Sequence, residues 1–213
     1  MNNYSHSIRI LKGNAMRKKP QQQRAKQIVD DILQATQLCI AEQGLLHLTT
    51  ARIAEKSGVS VGSIYQYFEN KDEIVQELLL RKSEMLGLAL KQMVTIQNQL
   101  LLEELIPLCL DFGFDMIKAD NGFFLEVLKY WHSYSNSAAA QVLEDHFYEV
   151  GIYMFNRFYP QWDFETLKHK SFVVINSTLF TMMRYIASNR FLISEIQLKK
   201  ELNLLILAYL DIK

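Results

Sequence analysis

The sequence predicts an all-α protein, and three observations carry that expectation. Prolines and glycines are scarce, apolar residues recur with a helical period, and two short helical stretches near the N-terminus are separated by a glycine. Three prolines and eight glycines in 213 residues leave too little punctuation for an all-β fold. Hydrophobic residues make up 49% of the chain, enough to bury a real core and to exclude disorder of the whole.

In chain order, residues 1–22 are polar and mixed, hold Gly13 and Pro20, and show no sustained helical period, which predicts an arm. Met16 stands just before the basic run Arg17, Lys18 and Lys19; a start at Met16 would make the first fifteen residues incidental. From Gln23 to Gln43, Ile28, Ile32, Ala35 and Cys39 fall on one face with Val29, Leu33, Thr36 and Ile40 beside them, which predicts a helix that Gly44 ends. Thr49 and Thr50 offer hydroxyl caps for a helix of about two turns over Ala51 to Ser57, and Gly58 closes it. Ser60 then caps Val61 to Phe68, and Asn70 with Glu73 three residues on opens a long helix carrying Ile74, Leu78, Met85 and Met93 inward.

Two short helices across a glycine turn, clamped between longer ones, form a compact tri-helical unit of helix-turn-helix type. Ala54 must be small where the two helices cross, Gly58 must reach positive φ, and Val59 and Ile64 must plug the core beneath the turn. The run Thr49-Thr50-x-x-Ile53-Ala54-x-x-Ser57-Gly58-Val59-Ser60-x-Gly62-Ser63-Ile64-Tyr65-x-Tyr67-Phe68-x-Asn70-Lys71-Asp72-Glu73 closely resembles the TetR family DNA-binding domain. The resemblance covers about residues 24–84; the remainder matches that family only in being helical. It implies three parts: an arm over 1–22, the helix-turn-helix domain over 23–84, and a helical effector-binding and dimerisation domain over 85–213, joined by the long helix.

A recognition helix inserts its N-terminal residues toward base edges in the major groove. Gly62 and Ser63 are small enough for close approach, Gln66 suits bidentate pairing with adenine, and Val61 suits a thymine methyl. Thr50, Lys71 and the helix ends around Thr49 and Ser60 suit phosphates, Arg52 suits either, and the resemblance implies phosphate contacts by Tyr65 and Tyr67. Competing readings stay open at two positions: Tyr65 packed in the core, and Thr49 acting only as a cap. Arg17, Lys18, Lys19, Arg24 and Lys26 suit a minor groove or phosphates, or else a solvated tail.

Net charge is zero, but its distribution is uneven: residues 1–82 hold 12 Lys/Arg against 8 Asp/Glu, leaving 11 against 15 beyond. A basic head on an acidic body fits a phosphate-binding module joined to a different one.

Beyond residue 100, helices are expected over Leu101 to Ala119, Gly122 to Tyr134, Ala138 to Tyr159, Phe164 to Ala187 and Ser194 to Leu210, with Pro107 kinking the first or marking its start. The last two carry apolar stripes at Phe172, Ile175, Leu179 and Met183, and at Leu198, Leu202, Leu205 and Tyr209. These read either as intrachain core or, as the resemblance implies, as a four-helix dimer interface. The resemblance also implies an effector pocket in the aromatic-rich middle, with Phe112, Phe123, Phe124, Trp131, Tyr134, Phe147, Tyr153 and Phe155 as candidate walls for an apolar or aromatic ligand.

No nucleophile motif, glycine-rich phosphate cradle or cofactor motif appears, and His132, His146 and His169 lack metal-ligand spacing, so neither an enzyme nor a metal or cofactor is expected. Cys39 and Cys109 read as buried reduced thiols, no apolar run approaches the ~18 residues of a membrane span, and the expected location is cytoplasmic. The expected partners are double-stranded operator DNA, a second copy of the chain and a small effector, with repression the expected sign. The alternative is an effector-independent, nucleoid-organising DNA binder.

Overall fold

The computed structural model describes residues 23–119, 122–187 and 193–210. The expected arm, with Met16 and the basic run at 17–19, lies outside these residues. The described chain is helical: α1 Gln23–Gln43, a 3-10 turn Leu45–His47, α2 Thr50–Ser57, α3 Val61–Tyr67, α4 Lys71–Ile96, α5 Leu102–Lys118, α6 Phe123–Lys129, α7 Trp131–Tyr134, α8 Ala138–Phe158, α9 Phe164–Ile186 and α10 Glu195–Tyr209. No helix among the described residues is long and apolar enough to cross a membrane.

The chain divides into two compact units. The first consists of the described parts of Met1–Ser83 and Asp120–Val142. Its core is the set that the helical period marked: Val29, Ile32 and Ile40 from α1, Ile53 from α2, Ile64 from α3 and Ile74 from α4 are shut off from solvent, with Phe68 beside them. Phe123, Val127 and Ala139 belong to the same core, so α6 packs here although the sequence reading grouped it with residues 85–213. Arg81 of α4 ties the unit further, donating to Glu77 (2.9 Å) and to Asp30 of α1 (2.5 Å).

The second unit consists of Glu84–Ala119 and the described part of Leu143–Lys213, around Val94, Leu105, Phe114, Phe155, Met182, Leu202 and Ile206. Pro107 does not mark the start of α5. The helix begins five residues earlier, where the Glu104 carboxylate accepts the Leu101 N–H at 2.9 Å and secures the first turn. The expected single helix over 122–134 is broken at Tyr130, whose backbone leaves helical geometry. Pro160 follows the end of α8, and Asp163 caps α9 by accepting the Thr166 N–H at 2.8 Å. Lys199 of α10 bridges Glu195 (2.9 Å) and Asp111 of α5 (2.8 Å), with its ammonium 4.9 Å from the Phe114 ring centroid. Arg157 closes the link after α4 by donating to the carbonyls of Gln97, Asn98 and Leu100.

Candidate nucleic-acid interface

Each short helix is started by a side chain and stopped by a backbone feature. Thr49, extended at φ −136°, caps α2 by accepting the Arg52 N–H at 3.3 Å, and Gly58 ends the helix at φ 70°, a left-handed value that side chains resist. Ser60 caps α3 by accepting the Ser63 N–H at 3.1 Å, and its Oγ lies 2.8 Å from Ser63 Oγ. Asn70 Oδ1 accepts the Glu73 N–H at 3.0 Å, while the Glu73 carboxylate accepts the Glu69 N–H at 2.7 Å, fixing the entry into α4.

These starts orient α3. At 100° per residue, Val61, Gly62, Tyr65 and Gln66 share one face and Ile64 and Tyr67 the other. The first four are exposed and the last two buried, as is Phe68 just past the helix end. The exposed face is neutral and mostly small, with one amide and one phenol as its hydrogen-bonding groups. A Cβ added at Gly62 would meet nothing closer than Ser60 Oγ at 4.0 Å, so no contact within the chain demands the glycine.

Among the DNA-binding candidates, Thr49 caps α2 and is exposed, so cap and external contact coexist. Tyr65 is 43% exposed, which discounts the core reading, and its hydroxyl lies 3.3 Å from Thr50 Oγ1, linking α3 to the first residue of α2. Arg52 and Lys71 are partly engaged within the chain: Arg52 donates to the His47 carbonyl (2.6 Å) and Lys71 to the Leu48 carbonyl (3.1 Å). Tyr67 is a correction. At 9% exposure it belongs to the core, because two residues of helix turn it about 200° from Tyr65.

The pocket candidates divide between the cores of the two units. Phe123, Phe124 and Tyr134 pack in or against the core of the first unit, while Phe112, Phe147 and Phe155 pack in or against that of the second. Tyr153 is 44% exposed, and the side chain of Trp131 lies outside the described residues.

Among the dimer candidates, Leu198 and Leu202 are buried in the second unit's core, a correction that follows from their facing inward with Ile206. Phe172 and Leu205 are exposed, and Ile175, Leu179, Met183 and Tyr209 are half-buried. Sequence reasoning missed Val173 and Phe180, which are exposed on α9 seven residues apart, the spacing that could have revealed them.

Cys39 is buried and Cys109 half-buried. Burial pushes the Cys109 thiol up to about 12, and burial, the largest effect, also raises Cys39, whose Sγ lies 3.8 Å from the Arg52 carbonyl.

The family described as bacterial regulatory proteins, tetR family, matches residues 32–78. A helix-turn-helix type transcriptional regulator of Haemophilus influenzae is 35% identical over 54 residues, 25% of this chain and 29% of that protein. The chain spans less than a third of the length of the curated relatives it matches. By fold, it is similar to a TetR-family transcriptional regulator of Mesorhizobium loti, with a TM-score of 0.70 at 12% identity over 90% of this chain and 98% of that one. It is also similar to RolR in complex with resorcinol, with a TM-score of 0.61 at 16% identity over 87% and 88%. The capped helix pair, its exposed neutral face and the matched stretch agree: over residues 32–78 the chain is similar to the N-terminal helix-turn-helix of the tetR family of bacterial regulatory proteins.

Proposed function

We propose that the chain is a DNA-binding transcriptional regulator, a repressor that binds a palindromic operator as a homodimer and is released by a small effector. The observation that carries the reading is the exposed face of α3, Val61, Gly62, Tyr65 and Gln66, held out by capped helix starts within the residues matched to the family. Gln66 and Val61 read base edges in the major groove, whereas Thr49, Thr50, Ser60, Ser63, Tyr65 and the cations Arg52 and Lys71 fix register on phosphates. The relatives reported are regulators rather than enzymes.

Residues 23–84 serve as the DNA-binding domain and 85–213 as the effector and dimer domain. One head covers too little DNA for tight specific binding, so two copies on two half-sites are required. The partly exposed apolar stripe of α9, Phe172, Val173, Leu179, Phe180 and Met183, supports that pairing. RolR holds resorcinol, which supports a small effector for a protein of this fold. The cytoplasm, where promoter DNA lies, is the corresponding location.

Selection of bound sequences from a random DNA pool at near-physiological salt tests the reading. The expected result is an enriched palindrome with half-sites about one helical turn or a multiple apart. Binding without enrichment that vanishes as salt rises would sink it in favour of a non-specific, nucleoid-organising binder.

A further inference from the structure

Helix α9 buries two hydroxyls that bond nothing among the described residues. Ser171 is fully buried with its Oγ unpartnered, and Thr178 Oγ1 is also shut off from solvent and unpartnered. A hydroxyl inside a helix can turn back to the carbonyl four residues earlier. Thr36 does so to Ile32 (2.8 Å), Thr95 to Lys91 (2.7 Å) and, on α9 itself, Thr181 to Ser177 (2.6 Å). Ser171 and Thr178 do not. A buried hydroxyl without a partner destabilises the fold, and alanine or valine in its place would remove that cost.

Seven residues of helix bring Ser171 and Thr178 to the same face, shared with Leu167 and Met182 of the second unit's core. Two neighbouring helices lack side chains where they meet α9. A Cβ at Gly151 of α8 would lie 3.2 Å from Ser171 Oγ and 3.0 Å from Ile175 Cδ1, and one at Gly113 of α5 would lie 2.6 Å from Met182 Cε. The space beside Gly113 is thus taken by the end of an unbranched thioether, which changes rotamer more readily than a branched or aromatic side chain. The inward residues Leu167, Ser171, Val174, Thr178 and Met182 carry no ionisable group.

We infer, resting on the reading of the chain as an effector-controlled regulator, that its effector is a neutral, largely apolar molecule bearing a hydroxyl or carbonyl oxygen. It lies against α9 beside Gly113 and Gly151, its oxygen bonds one of Ser171 and Thr178, which two turns of helix set about 10 Å apart, and Met182 moves aside to admit it. The site belongs to the second unit, and the aromatic residues singled out by composition are not its anchors.

Thermal unfolding of the full chain with resorcinol, phenol and 1-octanol as hydroxylated probes, and benzene as the plain one, tests this. At millimolar concentration at least one hydroxylated probe should raise Tm by a few degrees, and by more than benzene does. Ser171→Ala and Thr178→Val should each leave the bare Tm equal or higher and leave benzene unchanged, and one of them should weaken that probe about tenfold, a pattern that loss of structure does not produce. The inference is overturned if no hydroxylated probe stabilises the wild type, if the preference survives both substitutions, or if both lower the bare Tm. Operator binding measured without probe tests the underlying reading separately. Probes that release DNA equally well from the wild type and both variants would keep the regulator and reject this site.

Discussion

The hydroxyls of Thr50 and Tyr65 lie 3.3 Å apart, joining the first residue of α2 to the exposed face of α3 across the glycine turn. Each restrains the other before any DNA arrives, so they should act as one unit. Thr50→Val and Tyr65→Phe should each weaken binding to operator and random DNA about five-fold, the factor for one hydrogen bond of about 1 kcal/mol. The double variant should lose less than the product of the two. Strict multiplicativity in a double-mutant cycle of Kd values would show that the hydroxyls are independent.

Gly62 should separate stability from binding. Alanine there meets no close neighbour and should raise stability by about 1 kcal/mol through helix propensity. The added methyl stands on the face proposed to enter the groove, so operator affinity should fall tenfold or more. Paired denaturation and binding measurements check this, and unchanged affinity would remove Gly62 from the interface.

Gln66 and Lys71 should differ in kind. Gln66→Ala should relax base preference at one position of each half-site while leaving random-DNA binding near its original strength. Lys71→Ala should weaken all sequences alike, and should also lower stability by about 0.5–1.5 kcal/mol because its ammonium bonds the Leu48 carbonyl. Selection profiles and urea midpoints for both variants decide the matter; a changed motif in Lys71→Ala would contradict the division.

At Gly87 the backbone of α4 meets His146 of α8, and a Cβ would stand 2.3 Å from the imidazole Cγ. The nearest atoms include the His146 Cβ at 2.4 Å, so rotating the ring gives no escape. Gly87→Ala should destabilise by about 1–3 kcal/mol, typical of overpacking, and His146→Ala should recover part of that loss. A neutral Gly87→Ala in urea unfolding would refute this close packing.

The two thiols should be silent in the native state. With Cys109 pushed up to about 12 and Cys39 also raised, both remain protonated at pH 8, and a disulfide reagent should label them only after denaturant is added. The linkage sign follows. Unfolded thiols ionise near pH 9 while folded Cys109 holds its proton to about pH 12, so stability is full below pH 9 and declines between the two. Cys109→Ala should flatten that decline; prompt native labelling would show that the burial opens readily.

The helix-turn-helix was legible because its constraints are local. Thr49, Ser60 and Asn70 cap the helices they precede, Gly58 takes the positive φ that its turn requires, and Ile53, Ile64 and Ile74 fall inward by period alone. Tyr67 was misjudged where resemblance took the place of helical phase. In the second unit, Leu198 and Leu202 could not be told from interface residues, because a stripe facing its own chain and one facing a partner have the same period.

The sequence by itself determined where the helices of the helix-turn-helix start and stop, that Ile32, Ile53 and Ile64 are core, and that Val61, Gly62 and Gln66 are presented outward. Each of these depends on neighbours within about four residues, through capping, backbone freedom and periodicity. Only the tertiary structure decided that Phe123 and Phe155 serve different cores, that Tyr65 meets Thr50, and that Ser171 and Thr178 are buried without partners. Those facts depend on which helices meet. Helix contact is set by the packing of whole faces, and one chain's sequence records the faces without recording their pairing.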